Sequence, residues 1–190
     1  MIEERVYGDF DYVPEDLPPE AHLELSVNSI DLKTRWQRCG FISDLIAAYI
    51  AAAYPEEGFS PTSPVFNSVS TVFQELIENA AKFSRHREAM IRIRIKHYNR
   101  VLKIEVQNDA TPMFGQTFEN HLKTLFAAED LEALQVSMIE SRAQSDSSQS
   151  GIGLLMLLTD YPVKLGVMFI RTAIDREVVT VRVYYRLDEF

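Results

Sequence analysis

The run Ile91-Arg-Ile93-Arg-Ile95-Lys-His-Tyr98-Asn-Arg100-Val-Leu102-Lys-Ile104-Glu-Val106-Gln107 decides the fold class. Ile91, Ile93 and Ile95 alternate with Arg92, Arg94 and Lys96, and Leu102, Ile104 and Val106 alternate with Lys103, Glu105 and Gln107. A period of two marks half-buried strands, and the Tyr98-Asn-Arg100 link is short enough to fold them into a hairpin. One face of that hairpin is apolar and the other basic or mixed, so the sheet is expected to be covered on one side only.

Upstream the period changes. Val69, Val72, Phe73, Leu76 and Ala80 recur at helical spacing, predicting a helix from about Val65 to Ser84 with one core-facing side. Glu75, Asn79 and Lys82 recur at i, i+4, i+7 and line up on an adjacent side. A carboxylate can act as a base, an amide oxygen can ligate a hard cation, and an ammonium can meet a phosphate. The same stripe also suits a solvated face with an ion pair. Arg85-His86-Arg87 follows as a cation cluster suited to a helix C-terminus.

Further upstream, Leu23 to Ile30 alternates as a strand. Asp31 is placed to cap a helix running from Lys33 to Tyr54, on which Ile42, Leu45, Ile46, Tyr49, Ile50 and Ala53 keep helical spacing. Pro55 stops it, and Glu56 to Pro64 reads as a connection. Residues 1–22 are acidic, carry Pro14, Pro18 and Pro19, and read as an arm with a short strand near Val6.

Downstream, Asn108 keeps the phase of Val106 and points toward the helices, whereas Asp109 points the other way. Asn108 also suits a turn, since Asn-Asp and Thr-Pro favour one. Beyond it, Phe118, Leu122, Leu125, Phe126, Leu134 and Met138 predict one or two amphipathic helices, and Gly115 is the stretch's one glycine. Ser141 to Ser150, rich in serine and glutamine, reads as mobile. Gly151-Ile-Gly153-Leu154 then opens an apolar helix. Such a pair is a simple helix-starting turn or a backbone approach to phosphate. Without a following Lys-Ser/Thr it is not a P-loop. Strands from Val163 to Thr172 and from Glu177 to Leu187 close the chain. The order strand, helix, helix, hairpin, excursion, helix, hairpin predicts an α+β fold: a two-layer sandwich with a mixed, mostly antiparallel sheet and helices on one face.

Composition narrows the function classes. The 190 residues are 46% hydrophobic and 11% aromatic, enough for one sizeable core. A net charge of −9 argues against nucleic acid as a main partner, because phosphate backbones want clustered Lys and Arg. No run of 18 apolar residues occurs, and Met-Ile-Glu-Glu-Arg lacks the order of a signal peptide, so a soluble cytoplasmic protein is expected, with no membrane partner. One cysteine, Cys39, allows neither an internal disulfide nor a multi-cysteine metal site.

Three pieces fall in one order: Glu75-x-x-x-Asn79-x-x-Lys82-Phe-Ser, then Val106-x-Asn108 before a loop, then Gly151-x-Gly153-Leu154. They resemble the N box and the two glycine boxes of the GHKL ATPase superfamily, the ATP-binding domains of gyrase, chaperones, histidine kinases and MutL, over about Asn28 to Leu187. The resemblance implies a Bergerat fold spanning 23–190 as one domain, with a lid over about 109–150. It implies that Asn79 ligates the Mg²⁺ that bridges the phosphates of ATP, that Glu75 is the general base, and that Lys82 contacts phosphate. Gly151, Gly153 and Leu154, with the N–H groups of their helix, would cradle the phosphates, and Asn108 would face the adenine amino group. The chain departs from the pattern there: the family carries an aspartate at the position of Asn108, and Ala110-Thr111-Pro112 stands where glycines follow.

No histidine here is followed by an acidic residue, as a histidine-kinase phosphoacceptor usually is. The chain is instead similar to stand-alone bacterial regulators, the anti-sigma-factor serine kinases, and in Ile30-Asp-Leu-Lys33-Thr-Arg35-Trp36 to SiaB-like kinases of partner-switching systems. That implies a serine/threonine kinase acting on a small anti-sigma antagonist (STAS-like) or sigma-factor-like partner, with homodimerisation by analogy. The other class is a binding module of the same fold that has lost turnover and sequesters its partner.

Overall fold

The computed structural model describes residues 3–13, 17–53, 63–84, 89–144 and 152–187. The hairpin forms as its alternation requires. Strands β3 (Met90–Tyr98) and β4 (Val101–Ala110) pair antiparallel, with Ile93 opposite Val106 and Ile95 opposite Ile104. Their link places Asn99 at φ 49°, a left-handed conformation that asparagine tolerates better than most residues.

Four more strands extend this pair: β1 (Glu3–Gly8), β2 (Ala21–Asn28), β5 (Val163–Ala173) and β6 (Arg176–Arg186). The sheet has the order β1-β5-β6-β4-β3-β2, and every neighbouring pair is antiparallel. The sheet is therefore wholly antiparallel, where a mixed, mostly antiparallel one was expected from sequence.

The helices are α1 (Ser29–Thr34), α2 (Gln37–Ala51), α3 (Pro64–Phe83), α4 (Pro112–Ala127), α5 (Leu131–Gln144) and α6 (Ile152–Asp160). Helix α3 begins where local chemistry dictates. Ser63 Oγ accepts from the Phe66 N–H at 3.2 Å, and Pro64 sits in the first turn, where no N–H is missed. Its Val69, Val72, Phe73, Leu76, Ile77 and Ala80 are buried in one cluster with Ile91, Ile93, Ile95, Leu102, Ile104 and Val106 of the hairpin. Each of the larger side chains among them contributes about 1.5–3 kcal/mol by leaving water. Leu122 and Leu125 of α4 and Leu154, Leu155 and Leu157 of α6 join the same core, so the helices form one layer on one face of the sheet. Among the described residues no helix is long and apolar enough to cross a membrane.

Four further expectations need correction. Asp31 does not cap a helix; Asn28 does, its Oδ1 accepting from the Ile30 N–H at 3.0 Å, while Asp31 pairs with Arg35 at 3.1 Å and with Arg38. The helix expected from Lys33 to Tyr54 is two helices, because Arg35 leaves helical geometry (φ −131°, ψ 64°) and lets α2 turn onto α3. On α2, Leu45 and Tyr49 share the helical period but stay exposed; the buried side is Cys39, Ser43, Ile46, Ala47 and Ile50. The strand expected near Val6 forms as β1 and pairs along β5 as a sheet edge.

The fourth correction concerns the sheet's other face, expected to be bare. Strands β1 and β2 lie at opposite edges, so the chain between them crosses beneath the sheet. Phe10 and Val13 are buried there, the Arg182 guanidinium lies 3.8 Å from the centre of the Phe10 ring, and the Phe10 carbonyl accepts from Arg182 and Tyr184. Arg182 also makes two hydrogen bonds to Glu105, at 3.1 and 2.7 Å, so the charged alternation of β4 and β6 is partly a buried ion pair. Arg85-His86-Arg87, Pro55 and the serine-rich residues 145–150 lie outside the described residues; residues 141–144 complete α5.

Candidate functional site

A cleft of about 810 Å³, counted to its open mouth, lies between α3, the inner face of β4 and β6, α4 and the start of α6. Its floor is Val106, Val179 and Val181, and its walls include Phe83, Phe114 and Phe118. The apolar lining suits an organic group, with the few polar groups left to orient it.

Two of those polar side chains, Asn79 and Asn108, were singled out from sequence; Thr117 and His121 are the others. Asn79 and Asn108 both line the cleft, and so does buried Leu154. Glu75 stands one turn before Asn79 on α3, half-buried, beside Gly153 of α6. The approach is close. A β-carbon built on Gly153 would collide with Glu75 Oε2 and lie 3.7 Å from Asn79 Nδ2. Only a glycine lets the first turn of α6 come this near to the α3 stripe. Glu75, Asn79 and Gly153 are thus neighbours in space although 78 positions separate the ends of the set.

Burial, and then the nearby Glu78 carboxylate, raise the pKa of Glu75 above the ordinary carboxylate range. A carboxylate so placed holds a proton more readily than an exposed one, which is what a general base needs. No group of three or more His, Cys, Asp or Glu among the described residues is placed to hold a metal ion. A divalent ion at this cleft would therefore lean on the Asn79 amide oxygen and on oxygens of its own ligand, an arrangement that suits Mg²⁺.

Asn108 lines the cleft from β4. It is 5% exposed, and its Nδ2 has no hydrogen-bond partner. Asp109 faces the opposite side of the sheet and pairs with Arg176 at 2.6 Å, as the strand phase requires. Lys82 is not brought into the cleft. It is exposed on the last turn of α3, with its Nζ 5.5 Å from the Phe83 ring centre. Gly151 lies outside the described residues.

Two features were not picked out from sequence. One is the aromatic wall, in which Phe83 and Phe114 meet edge to face at 6.0 Å. The other is an ionic cluster beneath α4. Arg5 of β1 donates to Glu119 at 3.1 Å and to Glu177 at 2.6 Å, and Tyr7 donates to Glu119 at 2.5 Å. Glu119 and Glu177 are both buried. Burial alone would raise the Glu119 pKa, but hydrogen bonds from Lys123 and Tyr7 and the Arg5 charge bring it below the ordinary range. Gly115 of α4 sits directly on the Glu177 carboxylate, where a β-carbon would clash. The period of β6 held the signal: Glu177 shares the inward phase of Val179, Val181 and Val183, and a carboxylate on a core face must have a partner.

Comparison of the chain with protein-family models found no match, and comparison with curated proteins found none either, so its function is argued from the cleft itself.

Proposed function

We propose that the chain is a GHKL-type domain that binds Mg·ATP in this cleft and transfers its terminal phosphoryl group to a serine or threonine of a small protein partner. The observation that carries the reading is the close approach of Gly153 to Glu75 and to Asn79, which lines an aromatic-walled cleft together with the buried amide of Asn108. In it the phosphates meet the start of α6, where backbone N–H groups point outward and favour an anion. The base enters between Phe83, Phe114 and Phe118 toward Asn108.

Asn79 would hold Mg²⁺ through its amide oxygen, and the chemistry the ion would supply there is neutralisation of phosphate charge. Glu75 accepts the proton of the partner's hydroxyl as that oxygen bonds to the γ-phosphorus. The bond from the γ-phosphorus to the bridging oxygen breaks, and ADP carries that oxygen away. Little covalent work falls to the protein, so positioning and charge neutralisation supply the rate. The partner is a STAS-like antagonist or a sigma-factor-like protein, as in the regulators the sequence resembles.

A second reading is a binding module that keeps the fold and sequesters the partner without turnover. One observation favours it: Phe41, Leu45 and Tyr49, spaced i, i+4, i+8 on α2, are 71%, 66% and 49% exposed, an apolar stripe away from the cleft. Thermal unfolding with nucleotide separates the readings. Mg·ATP at a hundredfold excess over Kd is expected to stabilise the fold by about 2.7 kcal/mol. No shift at millimolar nucleotide would overturn the kinase reading and leave the binding module.

A further inference from the structure

We propose that Asn108 reads the base of the bound nucleotide through one donor and one acceptor together, so that the cleft takes guanine-type as well as adenine-type purines. The inference rests on the nucleotide reading of the same cleft and adds the ligand's class to it. Three observations carry it.

First, Asn108 is 5% exposed and lines the cleft, yet its Nδ2 donates to nothing. A buried donor left unpaired is unfavourable, and a ligand bearing an acceptor opposite it removes that penalty. Second, strand pairing fixes the direction of the side chain. Asn108 lies opposite Val179 of β6, and Val106 and Val179 form the floor beside it. The amide cannot turn to the other face without slipping the register of β4. Third, the adjacent carboxylate does not substitute for it: Asp109 is on the opposite face, paired with Arg176.

The chemistry then follows from the groups. A carboxylate at this place would only accept, so it would favour the exocyclic amino group of adenine and repel the carbonyl of guanine. A carboxamide presents a donor beside an acceptor. Adenine offers an amino donor beside its N1 acceptor; guanine offers its O6 acceptor beside its N1–H donor. Turning the carboxamide end over matches either edge with two hydrogen bonds. The unpaired Nδ2 is the group that meets N1 of adenine or O6 of guanine.

The test measures binding of Mg·ATP and Mg·GTP to the full chain by calorimetry, in the native protein and in Asn108→Asp. The native protein is expected to bind the two within about tenfold of each other, and Asn108→Asp to favour ATP by more than about tenfold through loss of GTP affinity. A native preference for ATP beyond about tenfold, or an unchanged ratio in Asn108→Asp, overturns the proposal. Should Asn108→Asp fail to fold, Asn108→Ala replaces it and is expected to weaken both nucleotides alike; loss of one alone overturns the proposal. Binding of neither nucleotide to the native protein is a separate result. It removes the nucleotide reading of the cleft, and the base assignment with it.

Discussion

Gly153 and Glu75 occupy one another's space: the carboxylate of α3 stands where a β-carbon on the glycine of α6 would have to be. The relation makes Gly153→Ala a specific probe. The methyl group forces the Glu75 side chain or the first turn of α6 to move, and overpacking of this kind costs about 1–3 kcal/mol. Shortening Glu75 to alanine empties the same space. In a double-mutant cycle read by urea unfolding, Gly153→Ala is expected to destabilise the native background and to be nearly neutral in Glu75→Ala. An equal loss in both backgrounds would mean that the contact does not set the choice of glycine.

Glu75 also gives a signed pH effect. Its pKa is raised in the fold, by burial first and by Glu78 second, so the folded chain binds that proton more tightly than the unfolded chain. The ionised group therefore disfavours the fold above the carboxylate range, and the effect vanishes as pH drops below it. Glu75→Gln should unfold at a higher temperature than the native protein near pH 8, and the gap should close toward pH 4. Phosphoryl transfer to the partner should fall by about 10²–10⁴ in the same variant, the usual contribution of a general base, with nucleotide binding retained. Full transfer by Glu75→Gln would remove Glu75 from the chemistry.

The ionic cluster under α4 makes the N-terminal strand matter to the cleft. Arg5 of β1 holds Glu119 of α4 and Glu177 of β6, and α4 carries Phe114 and Phe118 of the cleft wall. Arg5→Met leaves Glu177, 1% exposed, as an unpaired buried carboxylate, a change worth about 3–5 kcal/mol. Adding Glu177→Gln should recover part of that loss. Glu119 has a lowered pKa in the fold, so its contribution is present above the ordinary carboxylate range and is lost as pH falls through its folded value. The native protein should lose stability on acidification, and Arg5→Met, which lacks one cause of the lowered pKa, should lose less. Parallel acid curves for the two proteins would contradict that role for Arg5.

How far the sequence could be read depended on the range of the contacts involved. Period two on both hairpin strands and a clean helical period on α3 locate the starts of those elements to within a residue or so, because each signal lies within one element, although β4 runs on to Ala110, past the alternation read to Gln107. The phase of Val106 carried over to Asn108 for the same reason. The break at Arg35 was not readable, since apolar spacing continues across it and the turn is imposed by packing α2 on α3. Leu45 and Tyr49 misled by the same logic: periodicity names a face but not whether anything covers it. The pairing of β1 with β5 and the bond from Arg5 to Glu177 join opposite ends of the chain, 158 to 172 residues apart, and no local pattern announces them.

Lys82 is the expected phosphate contact that the fold leaves outside the cleft, and this sets the size of its effect. Its ammonium is exposed and lies over the Phe83 ring at 5.5 Å. A charge in that position acts on a triphosphate across solvent, so Lys82→Met should weaken ATP by less than about tenfold. The loss should shrink as salt is raised toward 1 M, where the screening length is about 3 Å. Adenosine, which has no phosphate, should bind native protein and variant equally. Titrations of both ligands at low and high salt check all three statements. A salt-insensitive loss of a hundredfold or more, confined to ATP, would show instead that Lys82 leaves Phe83 and bonds directly to the phosphates when nucleotide binds.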